Sequence, residues 1–540
     1  MAQTRKAISL AELTGEGLEQ TRACWAQLPA QYNAASHFID RHLNEGRGAK
    51  IAFIDDRGPH SYAALAARVN RAGNVLRSLG VRMEERVMLC LHDSVDFIAL
   101  FWGAVKIGAV PVPVNTLLKP ADYDFMLRDS RARVLAISAD VVERVEPLLA
   151  NHAGLQAVLI CGSGDGAVRG RDFEALSAQA AAELTPAPTK PSDTLYWLYT
   201  SGTTGAPKGV IHRHADILHS AQLLGEKTLG IGPDDVIFSA SKLAFSYGLC
   251  CANAFPLHAG ASAVLMAGAP SVDNVASVIA RHRPTIFCSV PTLYARLLGH
   301  PIASQPMAGQ RLRFCLSAGE PLPEAIARRW KEQVGVEILD CIGTTETLLM
   351  FICNRPDDVR YGSSGKPIAG CEARLLTAEG AEVEAGEVGD LWVYSPSTAA
   401  GYWNNPGLSA RTFVGGWSRT GDKYWRDPQG YYRYAGRADD MLKVGGIWVS
   451  PFEVEATLSA HPEVLEAAVV GALDDDGLTK AKAFVVLKKP AAASPAQAEA
   501  LREFVKSRLA PFKCPRWVEF LPELPKTATG KIQRFKLRQD

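Results

Sequence analysis

From residue 50 to about residue 162 the sequence switches repeatedly between two hydrophobic periods, and that alternation constrains the fold more than any other feature. YAALAARVNRAGNVLRSLG sets Leu65, Val69, Ala72, Leu76 and Leu79 on one helical stripe. RVMLCLH then reads as a buried strand, SVDFIALFWGAVKIG as a helix and AVPVPVN as a second strand. ARVLAIS and LQAVLIC continue the series, with the helix VVERVEPLLANH between them. Strands separated by helices need crossover connections, which predicts an α/β architecture with a largely parallel sheet. GSGDGA follows LQAVLIC and fits G-x-G-x-x-A, but VRGRDFEAL does not open directly into a helix, so the run reads as a surface loop.

The α/β pattern resumes from LYWLYT to about residue 355. EARLLTAEGAEVEAGEVGDLWVYS reads as short strands joined by Gly and Asp turns, a small β-rich unit. Beyond YAGRADD, WVSPFEVEATLSAHPEVLEAAVVG predicts a helix and then a strand, KAFVVLKK another strand, and SPAQAEALREFVKSRL a helix capped by Ser494. KKPAAASPAQ reads as a loop inside that last unit, and no internal repeat is visible. A chain of 540 residues exceeds one ordinary core, so two to four domains are expected.

Composition narrows the function classes. Hydrophobic residues at 47% and charged residues at 21% describe a soluble globular chain. The net charge of +1 offers no broad basic face for nucleic acid or an anionic membrane, so any anionic ligand must be met locally. Eleven cysteines form no C-x-x-C pair and lie in apolar runs such as VMLCLH and RFCLSAG. Reduced, buried thiols and a reducing compartment follow, not a zinc site. The N-terminus lacks the apolar core of a signal peptide, and the longest apolar run, FIALFWGAV, is far short of a membrane span. A cytoplasmic location without a membrane partner is expected.

The stretch YTSGTTGAPKG, residues 199–209, holds three glycines, four serine or threonine hydroxyls and one lysine. Such a loop suits phosphate, because glycine lets backbone N–H groups crowd an anion while hydroxyls and an ammonium complete the cradle. It is not the Walker pattern, since Lys208 follows Pro207 and precedes Gly209. Taken alone, the stretch is equally compatible with a plain surface turn.

The polar, glycine-bearing stretches that follow resolve this. AFSYG (244–248), SAGEPLP (317–323), GTTET (343–347), RTGD (419–422), YAGRADDMLKVGG (434–446) and PKTATGKIQR (525–534) succeed one another in fixed order. Together they resemble the acyl-adenylate-forming superfamily, across essentially the whole chain. YNAASHFIDRH, IAFIDD, PVPVNTLL, KLAFSYGL and RHRPTIFCSVPTLYARLL are most similar to its benzoate-CoA ligase group. The resemblance implies an α/β fold: a large N-terminal domain (1–437) of doubly wound α/β subdomains with a small β-barrel-like subdomain, and a small mobile C-terminal α+β domain (438–540). It implies ATP, CoA and Mg²⁺ as cofactors and an aryl carboxylic acid as substrate, in a monomer or homodimer.

It also implies roles, residue by residue. Thr200, Ser201, Gly202, Thr203, Thr204, Gly205 and Lys208 would close over the β- and γ-phosphates. Glu346 would organise magnesium, with Thr345 contacting phosphate. Ala318, Gly319 and Glu320 would wrap adenine, with Asp340 near its amino group. Asp422 would accept both ribose hydroxyls, supported by Arg437. Asp439 matches the hinge, about which the small domain turns one face inward for adenylation and another for thioester formation. Lys531 would serve the first reaction and is a candidate for a regulatory lysine acetyltransferase; Lys443, Gly445 and Gly446 would line the CoA channel in the second. The closing segment from Pro511 carries seven Lys or Arg against three acidic residues, which suits a lid over phosphates or a solvated basic tail.

Phe245, Ser246, Tyr247 and Gly248 would face the ring, with Gly343, Leu348 and Leu349 opposite. Ser246, Cys250, Thr347 and Leu349 depart from the group's usual residues, leaving plain benzoate and hydroxy-, amino- or otherwise substituted benzoates as alternatives. Transfer of the acyl group to a carrier-protein thiol is the second reading, although no carrier domain is attached; an oxygenase and a non-enzymatic nucleotide binder are further ones.

Overall fold

The computed structural model describes residues 19–20, 23–162, 170–200, 207–303, 311–437, 440–444, 447–474, 478–526 and 532–538. The helical stripe forms the Tyr62–Ser78 helix, capped by Ser61, whose side chain accepts from the Ala64 N–H. Leu65, Val69, Ala72 and Leu76 are buried, as the period requires, against the Val95–Lys106 helix. That second helix is buried along its whole length, which accounts for the apolar run FIALFWGAV.

Two sheets share the core between them. The first is five-stranded and parallel, in the order Val110–Pro113, Arg86–Cys90, Val134–Ser138, Ala157–Cys161, Arg171–Asp172. The second has nine strands, with Val236–Ser239, Ser262–Val264, Ile286–Ser289, Phe314–Ser317 and Ile338–Gly343 parallel and antiparallel strands at its edges. Strand alternation sends neighbouring residues to opposite faces. Val87 and Leu89 join Ile237 and Leu316 in the inner core, whereas Met88 and Cys90 pack outward with Tyr123 and Val145. Phe238, Phe287 and Cys315 likewise pack outward, with Ile279, Tyr294 and Trp330. Both sheets are therefore covered on both faces, as doubly wound sheets must be. The Pro120–Ser130 helix, with Asp and Arg interrupting its apolar residues, is an outer-layer helix that the hydrophobic pattern did not announce.

The β-rich unit is an antiparallel sheet of Glu372–Leu376, Gly389–Tyr394, Trp417–Arg426 and Phe413–Val414, with Tyr432–Arg437 also paired to Trp417–Arg426. The C-terminal residues build a separate core from Val449, Val454, Leu458, Val469, Val485, Leu501 and Val505. Its sheet carries Val464–Leu473, Thr479–Leu487 and Trp517–Phe520, and Ser494 caps the Pro495–Lys506 helix as expected. The cysteines of VMLCLH and RFCLSAG, Cys90 and Cys315, are buried free thiols. Among the described residues no helix is long and apolar enough to cross a membrane. All of GSGDGA except its first glycine lies outside the described residues.

Candidate active site

Three adjacent parallel strands of the nine-stranded sheet bring Ser289, Ser317 and Asp340 into one register row at their carboxyl ends. Paired residues of a parallel sheet point to one face, and the carboxyl ends of such strands are where open α/β sheets take ligands. All three side chains are buried, and Ser289 Oγ, Ser317 Oγ and Asp340 Oδ1 have no hydrogen-bond partner. Orphaned buried polar atoms are rare, so a row of three marks a place built to meet polar groups. Burial pushes the Asp340 carboxyl well above the usual carboxylate range. Its Oδ2 accepts from Ser364 Oγ at 3.5 Å, and Ser364 Oγ lies 3.1 Å from the Tyr424 hydroxyl. Beyond the row the chain turns through buried Ala318 and exposed Gly319, and Thr292 Oγ1 donates to Glu320 Oε2 at 3.1 Å.

A second cluster forms around the expected phosphate loop. Thr200 and Lys208 are register partners at the mouth of the hairpin Thr194–Thr200/Lys208–Arg213. Ser201, Gly202, Thr203, Thr204 and Gly205 lie outside the described residues. The Gly401–Tyr402 strand adds to the far edge of this hairpin, pairing with Ile211 and Val210. It places the Tyr402 ring 5.9 Å from Lys208 Nζ and the Tyr402 hydroxyl 2.9 Å from Glu346 Oε1, to which it donates. Burial and the Glu346 charge raise the phenol's pKa, so it remains a donor. Nothing local marks Tyr402 in the sequence; GYWNNP carries no charge, and only strand pairing brings it to the lysine and the glutamate.

Gly343 opens the turn that carries Thr345 and Glu346. A Cβ at Gly343 would stand 2.5 Å from the Leu349 carbonyl oxygen, so only glycine lets the two strands close here. The His212 imidazole donates to the Thr345 carbonyl at 2.7 Å, and Ala399 N–H donates to the Glu346 carbonyl at 2.8 Å. Thr347 is fully buried, and its hydroxyl donates to the Leu349 carbonyl at 3.1 Å. Leu348 and Leu349 are buried, Leu348 with a left-handed φ of 58°.

The segment expected to face the ring begins at Phe245, directly before the Ser246–Leu249 helix. Phe245 and Ser246 are half-buried. Tyr247 donates to the carbonyls of Leu316 (2.7 Å) and Ser289 (3.2 Å), which locks its ring against the carboxyl end of the orphan row. The room left by Gly248 is taken by backbone: a Cβ there would stand 2.1 Å from the Lys242 carbonyl oxygen.

Asp422 and Arg437 are register partners on neighbouring antiparallel strands, with Arg437 Nη1 3.1 Å from Asp422 Oδ1. The same guanidinium donates to the Thr420 carbonyl at 3.2 Å, and Asp422 is buried. Asp439, Gly445, Gly446 and Lys531 lie outside the described residues, as does the side chain of Lys443, whose backbone belongs to the Leu442–Val444 strand. Much of the basic excess after Pro511 is spent inside the C-terminal unit rather than left for phosphate. Lys513 pairs with Glu453 at 2.6 Å, Lys526 with Glu466 at 2.6 Å, Arg534 with Glu455 at 2.7 Å, and Arg538 with Asp440.

Residues 40–403 match the AMP-binding enzyme family, and residues 453–531 match the AMP-binding enzyme C-terminal domain. The chain is 51% identical over 516 residues to a benzoate–CoA ligase of Thauera aromatica, covering 95% of this chain and 97% of that one. It is also similar to the crystal structure of an anthranilate CoA ligase in complex with anthranoyl-AMP (TM-score 0.91, 44% identity, 95% of this chain and 98% of that one). A benzoate CoA ligase structure from Burkholderia xenovorans gives a TM-score of 0.87 at 46% identity, over 94% of this chain and all of the other.

Proposed function

Because the chain belongs to the AMP-binding enzyme family, we propose that it is an AMP-forming acid–thiol ligase that converts benzoate or a substituted benzoate to its CoA thioester. The observation that carries this reading is the 51% identity to a benzoate–CoA ligase over 95% of the chain.

A carboxylate is a poor electrophile, and its conversion needs positioned donors rather than a covalent nucleophile. In the first half-reaction a carboxylate oxygen of the aryl acid bonds to the α-phosphorus of ATP, and the bond to pyrophosphate breaks. In the second, the CoA sulfur bonds to the acyl carbon, the thiol proton is lost, and the bond to AMP breaks. Lys208, at the base of the Thr200–Lys208 loop, offers an ammonium to phosphate oxygens. Asp422, fixed by Arg437, accepts from ribose hydroxyls; Asp340 offers the unpartnered Oδ1 to the adenine edge.

Among the described residues no cluster of three or more ligating side chains exists, and Glu346 is the carboxylate held by Tyr402, whose ring lies 5.9 Å from Lys208 Nζ. One carboxylate suits magnesium, which is held by one or two carboxylates plus substrate phosphates rather than by a protein cage. When bound there, the ion would neutralise phosphate charge. Phe245 and Tyr247 bound the ring, with Leu348 and Leu349 opposite. The C-terminal unit, turning at Asp439, presents Lys531 for the first half-reaction and the 443–446 segment for the second. Similarity to an anthranilate CoA ligase supports an aminobenzoate as a second reading of the acid.

The test is a panel of benzoate, aminobenzoates and hydroxybenzoates with ATP, magnesium and CoA, following pyrophosphate, AMP and thioester. Stoichiometric aryl-CoA and AMP are expected. Pyrophosphate release without thioester would favour a different acceptor, and no release with any acid would overturn the reading.

A further inference from the structure

Six consecutive carbonyls, from Thr344 to Leu349, each accept a hydrogen bond, and those of Thr345 to Leu348 take theirs from distant parts of the chain. Thr344 is bonded within the turn by Thr347 and Leu348, Thr345 by His212, and Glu346 by Ala399 N–H. Ser397 Oγ donates to the Thr347 carbonyl at 2.7 Å, and Thr347 Oγ1 to that of Leu349. The Leu348 carbonyl alone receives two side-chain donors: Ser220 Oγ at 3.0 Å and Cys250 Sγ at 3.0 Å.

Leu348 is also the residue of this turn with a left-handed backbone, at φ 58°. A leucine pays for that conformation, and such strain persists only where the surroundings over-determine it. Ser220 comes from the His214–Ser220 helix, whereas Cys250 follows directly on the Ser246–Leu249 helix of the ring-facing segment. Both are fully buried, and burial pushes the Cys250 thiol up to about 12, so it stays protonated and able to donate. Cys250 thus ties the turn bearing Glu346 to the segment bearing Phe245 and Ser246, and Ser220 ties the same turn to the His214–Ser220 helix.

We propose that Ser220 and Cys250 are positioning residues for acid selection: by sharing the Leu348 carbonyl they hold Leu348 in its left-handed conformation and set the wall opposite the ring. The proposal rests on the aryl-acid ligase reading. Neither side chain needs to touch substrate. Losing one donor leaves the other in place, so single replacements are mild; losing both leaves a buried carbonyl unpaired and lets the turn relax.

The experiment compares Ser220→Ala, Cys250→Ala, the double variant, and Ser220→Ala combined with Cys250→Ser. The readouts are the acid KM and kcat for pyrophosphate release with benzoate, an aminobenzoate and a hydroxybenzoate, beside the ATP KM. The double variant is expected to raise the acid KM by about 10-fold and to change the ranking of the acids while the ATP KM holds. A serine at 250 restores an O–H donor and is expected to bring the acid KM back to within about 3-fold of wild type. A merely structural role predicts lower kcat with every acid, unchanged acid KM and no rescue by Cys250→Ser, and that result overturns the proposal. Should the double variant not fold, the single variants decide: a raised acid KM in each supports the clamp, an unchanged one in both removes it. A wild-type enzyme that activates no aryl acid overturns the functional reading and this inference together; an active wild type with unaltered variants overturns the inference alone.

Discussion

Tyr402 donates its phenolic hydrogen to Oε1 of Glu346 at 2.9 Å while its ring lies 5.9 Å from the ammonium of Lys208. One side chain thereby couples the two charged groups that meet phosphate and metal in the proposed reaction. Tyr402→Phe keeps the ring and removes the hydroxyl. A lost hydrogen bond to a charged group is worth roughly 1.5–3 kcal/mol, or about 10- to 100-fold. We expect pyrophosphate release to fall within that range and the magnesium concentration giving half-maximal rate to rise, with the thermal midpoint little changed. A magnesium titration of both enzymes checks this; unchanged magnesium dependence would confine Tyr402 to packing.

Ser246 stands half-buried at the start of the Ser246–Leu249 helix, which is proposed to face the ring. If its hydroxyl meets a ring substituent, Ser246→Ala should weaken the substituted acid and spare or improve benzoate. Losing a partner for a buried polar group is worth on the order of 1–3 kcal/mol, enough to invert a preference. Ratios of kcat/KM across the acid panel measure it, and an equal loss for every acid would sink the idea.

Lys531 has a proposed role in adenylation only. Removing one preorganised donor of this kind costs ~3–4 kcal/mol, or roughly 10²- to 10³-fold. Lys531→Ala should nearly abolish acyl-adenylate formation, yet still convert preformed benzoyl-adenylate and CoA to thioester. Acetylation of Lys531 removes the same charge and should have the same selective effect. Assaying the two half-reactions separately decides, since equal impairment of both would rule out the division of labour.

Acid should destabilise the large domain through two histidines buried as neutral rings. Burial holds His214 down to about 4, and its Nδ1 accepts the Ala34 N–H at 3.1 Å, a bond that protonation there would break. Burial and the Arg41 and Arg47 guanidiniums hold His42 down to about 4 as well. Each folded pKa lies below the ordinary value near 6.5, so the unfolded chain binds protons first. This stabilisation is complete above about pH 6.5 and is lost as pH falls towards 4, on the order of 3 kcal/mol for His214. Thermal midpoints measured from pH 7.5 to 4.5 should fall, and His214→Gln should flatten the decline. A variant as acid-sensitive as wild type would place the effect elsewhere.

The layered architecture was legible because strand and helix leave different local periods in the chain. Leu65, Val69, Ala72 and Leu76 are buried together because 3.6-residue spacing puts them on one face, whatever lies beyond. Ser494 caps its helix by accepting the Gln497 N–H at 3.2 Å, an interaction three residues long. The order of the polar, glycine-bearing stretches was likewise written in the chain, and with it the family resemblance.

What the sequence alone did not determine are relationships that no local pattern encodes. Tyr402 reaches Glu346 across 56 positions, and Ser220 and Cys250 reach Leu348 across 128 and 98. The orphaned row of Ser289, Ser317 and Asp340 exists only because three parallel strands align in register. A serine or tyrosine has no periodic signature and the same composition whether it packs, bonds or waits for a ligand. Its role is decided by which donors and acceptors remain unpaired once the backbone has been placed, and that is a property of the folded chain.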